Sequence, residues 1–118
     1  MDIRSSKRIR IVLPVRIKCD NEIIANKGEM INVCERGGCI ITDAKLHINE
    51  VIHMDINIPY RKLIDNKTTI GLKVQHAWTG ISYDRRFPHK YGICFKDDQS
   101  NSKFLRDIIE HDLNFISK

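Results

Sequence analysis

The chain has 118 residues, with 20 Lys and Arg against 15 Asp and Glu, a formal charge of +5 with His neutral. That length suits one domain with a single modest core, and an apolar fraction of 42% excludes a disordered chain. No stretch approaches the ~20 apolar residues that a membrane span needs, and the basic N-terminus lacks the apolar segment of a signal peptide, so the expectation is one soluble, cytoplasmic domain over 1–118.

Residues 1–8 read as a flexible basic arm. Arg4, Lys7, Arg8, Arg10, Arg16 and Lys18 face only Asp2 within residues 1–18, whereas the remaining hundred residues carry 14 basic and 14 acidic groups. A localised positive field attracts an anion, whether nucleic acid, an acidic lipid surface, an acidic protein or a small phosphate ligand. A solvated, solubilising tail is the plainer alternative.

Residues 9–18 alternate strictly. Ile9, Ile11, Leu13, Val15 and Ile17 share one face, with Arg8, Arg10, Arg16 and Lys18 on the other, the period of a half-buried strand. Pro14 lacks an N–H and implies an edge or a bulge there. After a turn at Asp20 and Asn21, residues 28–34 predict a second strand. Glu35 to Gly38 predict a tight turn, with the glycine pair supplying positive φ, and 39–42 a returning third strand. Residues 51–58 alternate again, placing Ile52, Met54, Ile56 and Ile58 on one side before Pro59 stops the strand.

Asp65 and Asn66 mark the next turn. Residues 68–79 predict a long strand with Ile70, Leu72, Val74, His76 and Trp78 on one face, and Gly71 predicts a bend or bulge within it. A polar loop over 80–90 leads to a last strand at 91–95. Six strands at this spacing argue for an antiparallel barrel over 9–95. From about 102 the period changes. Leu105, Ile108, Ile109, Leu113 and Ile116 predict an amphipathic helix within 101–116, capped by Asn101 or Ser102 and packed on the barrel rather than on a second copy. A monomer or weak homodimer is expected.

Cys19, Cys34, Cys39 and Cys94 show no paired spacing, so reduced thiols are expected. The five histidines show no metal-ligand spacing, and no metal is expected. Neither a catalytic triad, a carboxylate pair in a plausible pocket nor a phosphate-cradling GxxxxGK is present, which argues against an enzyme.

Two constellations remain. Arg4-Ser5-Ser6-Lys7-Arg8 is an RxxxR that runs into the first strand, and Asn32-Val33-Cys34-Glu35-Arg36-Gly37 is an NxCxxG that leads into a glycine turn. An Arg fork matches two phosphate oxygens or the O6 and N7 of guanine. The Asn32 carbonyl would accept from guanine N–H donors, and Gly37 permits close backbone approach. Together they suit a guanine nucleotide better than a plain sulfate or an acidic protein.

In the order and separation of these motifs the chain resembles the PilZ domain family. The resemblance rests on RSSKR followed by IRIVLPVRIK, on MINVCERGGCII, on IGLKVQHAW and on YGICF. It implies a six-stranded antiparallel β-barrel with a C-terminal helix and a receptor for bacterial cyclic di-GMP. Carried over, Arg4 and Arg8 are the clamp, Asn32 contacts guanine, and Gly37 is the close-approach turn, with Lys7, Arg10 and Gly38 as auxiliaries. Cys34 stands where the family usually has Ser, and a thiol is the weaker hydrogen-bonding group.

The implied function is a non-catalytic receptor that binds the nucleotide and relays the signal to a downstream protein in motility, polysaccharide or biofilm control. The alternatives are a docking adaptor with a vestigial nucleotide site, using the basic loop Arg85 to Lys90 and the C-terminal helix, and a small nucleic-acid-binding barrel. The last is disfavoured by a neutral body and by only four Phe, three Tyr and one Trp for base stacking.

Overall fold

The computed structural model describes residues 9–18, 26–34, 36–57 and 69–96. The basic arm at 1–8 and the expected helix at 101–116 lie outside them. Within them run β1 (Ile9–Lys18), β2 (Asn26–Val33), β3 (Gly37–Thr42), β4 (Val51–Asn57), β5 (Thr69–Ile81) and β6 (His89–Phe95). All neighbouring pairs are antiparallel, in the order β1, β2, β3, β6, β5, β4, and β1 pairs with both β2 and β4 to close a six-stranded barrel. Closure leaves no sheet edge exposed to another chain. No helix among the described residues is long and apolar enough to cross a membrane.

Period-two alternation fills the barrel. Ile11, Leu13, Val15 and Ile17 of β1, Ile52, Met54 and Ile56 of β4, and Ile70, Leu72 and Val74 of β5 are all buried in one core with Met30, Val33, Ile40 and Ile93. Each such side chain removed from water contributes about 1.5–3 kcal/mol. Pro14 sits one residue before β1 begins to pair with β4 at Val15, and just past the register shift between Arg10 and Leu13. Its missing N–H thus falls at the margin that the sequence required.

Four expectations need correction. First, β3 begins at Gly37 rather than Cys39, and no described glycine has positive φ. Gly37 and Gly38 are needed for space. A Cβ on Gly37 would collide with the Ile93 carbonyl, and one on Gly38 would collide with the Asn32 carbonyl. Second, Gly71 pairs with Asp55 in an unbroken register, and the bulge in β5 falls between His76 and Trp78, at Ala77. Third, Trp78 therefore leaves the inward face that it was expected to share, and is 43% exposed. Fourth, the predicted 80–90 loop is shorter, because β5 runs to Ile81 and β6 starts at His89.

Buried polar groups in the barrel are satisfied locally. Thr42 Oγ1 donates to the Lys27 carbonyl at 2.7 Å and accepts from Ala44 N–H at 3.0 Å. His76 Nδ1 accepts from Asn49 N–H at 3.2 Å, which leaves the proton on Nε2, 2.8 Å from Thr79 Oγ1. Asn49 itself adopts a left-handed φ of 62°, a conformation Asn tolerates better than most residues. Tyr91, edge-on to His76, accepts from Leu46 N–H through its hydroxyl at 3.0 Å. These bonds pin the 44–50 connection across one mouth of the barrel.

Candidate functional site

Residues paired across neighbouring strands point to the same face of a sheet. One outward row consists of Asn32 on β2, Cys39 on β3, Gly92 on β6 and Trp78 on β5, and the backbone of Arg10 on β1 pairs with that of Asn32. A second outward row has Gly37, Cys94 and Gln75. Cys34 joins it through its N–H, which donates to the Gly37 carbonyl at 2.8 Å. The Arg36 carbonyl in turn accepts from Phe95 N–H at 2.8 Å, which ties the turn after β2 to the end of β6.

Between these rows lies a cleft of about 200 Å³, lined by Asn32, Cys34, Arg36, Gly37, Gly38, Cys39, Ala77, Trp78, Ile93 and Cys94. Gly37 contributes only backbone to the lining. The Trp78 indole lies over Gly92 so closely that a Cβ there would occupy the same space. The result is a shallow slot with an aromatic ring on one wall, an amide and thiols on the other, and the exposed Arg36 at the rim. Such a slot can take a flat ring against the indole and offer Asn32 as acceptor or donor.

Of the residues singled out by sequence, Asn32, Cys34, Gly37 and Gly38 come together here. Gly38 contributes backbone only, since it belongs to the inward row of Val33 and Ile93 and faces Met30. Arg10 is in register beside Asn32. Arg4, Lys7 and Arg8 lie outside the described residues, although Arg8 is bonded directly to Ile9, which pairs with Val33 at this same corner.

Sequence reasoning missed Trp78, Cys39 and Cys94 as lining residues. Gly92 held the available signal, because a glycine inside a strand marks a close approach.

A larger cleft of about 460 Å³ opens elsewhere, between Arg16, Lys27, Glu29, Asp55 and Phe87. Its charges alternate in sign, and it contains none of the predicted ligand residues. No group of three His, Cys, Asp or Glu among the described residues is placed to hold a metal.

The basic loop after β5 is internally neutralised at Arg86. Its guanidinium reaches Asp84 at 2.9 Å and Glu29 at 3.0 Å, and packs 5.1 Å from the Phe87 ring centroid. The Arg86 side-chain hydrogen bond holds the Asp84 carboxyl below its ordinary value. A depressed carboxyl stabilises the fold above its unfolded pKa, and that contribution disappears as pH falls through the folded pKa. A carboxyl-carbon NMR titration should therefore show Asp84 titrating below the usual carboxylate range. Arg86→Ala should return it toward that range, and an unchanged midpoint would contradict the pairing.

The family model of the PilZ domain matches residues 2–111. Among solved structures, the inhibitor of motility of Bacillus subtilis (MotI/DgrA) is similar in fold, with a TM-score of 0.69 at 16% identity, covering 97% of this chain and 53% of that one. The chain thus spans about half the length of that protein. No curated protein matches the sequence.

Proposed function

The chain belongs to the PilZ domain family, a family of cyclic di-GMP receptors and adaptors that are generally non-catalytic, and from that premise we propose that it is itself a cytoplasmic bacterial receptor for cyclic di-GMP. The observation that carries the reading is the slot in which Asn32, Cys34 and Gly37 meet at the corner where β1 begins. The RxxxR arm is attached covalently to that corner.

In this reading the free arm is self-repelling. The dianionic nucleotide neutralises Arg4 and Arg8 and draws the arm onto the barrel, with Lys7 and Arg10 as auxiliary cations. A guanine enters the slot, with Asn32 on its polar edge, the Gly37 backbone beneath it and Trp78 against its face. Cys34 contributes a weaker bond than a serine would, a loss of about 0.5–1.5 kcal/mol typical of one hydrogen bond. The closed arm and barrel then present a changed surface to a downstream protein in motility, polysaccharide or biofilm control.

Calorimetric titration of cyclic di-GMP against GTP, GMP and cyclic di-AMP tests the proposal. Saturable heat with cyclic di-GMP alone is expected. Silence with all four would favour the adaptor reading, and binding to nucleic acid that falls steeply with salt would favour the third.

A further inference from the structure

The slot is also a meeting place of thiols. Cys34 follows β2, Cys39 lies on β3 and Cys94 on β6, and all three line the same cleft. They differ in access, for Cys39 is buried, Cys34 is intermediate and Cys94 is exposed. Neither Cys34 nor Cys94 is in a disulfide. On the β3 side Cys94 is paired with Gly37, which has no side chain to cover its sulfur, and on the β5 side with Gln75. It stands two residues along the same strand face from Gly92, the glycine beneath the Trp78 indole. Arg36 lines the slot itself, whereas Lys73 and Lys96 line a separate cleft with Val51, Ile52 and His53. The Arg36 carbonyl bonds Phe95 N–H and the Lys73 carbonyl bonds Lys96 N–H, each at 2.8 Å, and all three side chains are exposed.

We propose that Cys94 is a modification site for small anionic disulfides, and that the resulting mixed disulfide fills the slot and shuts out the nucleotide. The regulatory consequence rests on the receptor reading above. The chemistry is thiol–disulfide exchange. The Cys94 thiol gives its proton to solvent, and its sulfur attacks one sulfur of the small disulfide. The old S–S bond breaks, a new one forms to Cys94, and the departing thiolate takes the electron pair and then a proton. Cys94 is thereby oxidised and half of the reagent reduced. The exposed Arg36 at the slot's rim favours an anionic reagent over a neutral one. Because Cys39 is buried and Cys34 intermediate, access selects Cys94 among the described cysteines.

Trp78 is the sole tryptophan of the chain, so its emission reports on the slot whether or not a nucleotide binds. The full-length reduced protein and the protein treated with glutathione disulfide are compared by peptide mass mapping, by Trp78 emission and by cyclic di-GMP calorimetry. The expected result is a glutathionyl adduct on Cys94, a shifted Trp78 emission, and an affinity at least about tenfold weaker, all reversed by dithiothreitol. Cys94→Ser should bind alike before and after treatment, whereas Cys34→Ser should remain sensitive. An adduct elsewhere than Cys94, or one on Cys94 that leaves Trp78 emission or the affinity unchanged, overturns the inference. Should the reduced protein bind no cyclic di-GMP, the receptor reading fails by itself. The adduct map and the Trp78 emission then decide the slot modification alone.

Discussion

Arg8→Ala is expected to lower cyclic di-GMP affinity by roughly a hundredfold or more, below the range of a standard calorimetric titration. A guanidinium fork makes two parallel charge-assisted bonds to phosphate or to a guanine edge, and each hydrogen bond to a charged group is worth about 1.5–3 kcal/mol. Losing both exceeds the roughly 2.8 kcal/mol that corresponds to a hundredfold change. Arg4→Ala should act in the same direction. Arg8→Lys should recover only part of the loss, because an ammonium supplies the charge without the fork. The barrel should be unaffected, since its first strand begins at Ile9 and the core residues among those described all follow it. Circular dichroism and thermal melting of the variants check this. Unchanged affinity in Arg8→Ala would remove the arm from the site.

Gly37→Ala is expected to destabilise the barrel by about 1–3 kcal/mol, the range for forcing an extra carbon into packed structure, while Gly92→Ala costs much less. Both positions lack room for a Cβ, but for different reasons. At Gly37 the obstacle is backbone, namely the Ile93 carbonyl and the Cys94 Cα. Those atoms are held by the β3 to β6 ladder, in which Gly37 pairs with Cys94, so relief means distorting the pairing. At Gly92 the obstacle is the indole of Trp78, a side chain already 43% exposed that can rotate outward. Denaturant unfolding should separate the two variants in midpoint. Emission of the single tryptophan should change in Gly92→Ala even where stability does not. Equal losses of stability would mean that Trp78 is held as rigidly as a strand backbone.

The contrast between these glycines explains what could be read in advance. In β1 and β4 the apolar residues recur at every second position, and the structure buries Ile11, Leu13, Val15, Ile17, Ile52, Met54 and Ile56 as that period requires. Gly37 was recognisable as a place of close approach. The two-glycine run suggests a turn with positive φ, whereas here Gly37 lies within β3 and keeps that strand close to its neighbour. The β5 pattern misled at Trp78, since counting by two carries no signal for an inserted residue. The bulge at Ala77 exists only in the pairing of β5 with β6.

Local alternation of apolar and polar side chains determined by itself that this chain forms strands and which residues fill the barrel, because burying one face of a pleated strand is a decision of period alone. Which outward residues share a slot was settled by tertiary structure. Pairing of β3 with β6 sets Cys94 beside Gly37, and an unpaired residue in β5 turns Trp78 onto Gly92. Contacts between strands distant in sequence depend on register and bulges, and these are fixed only when the barrel closes.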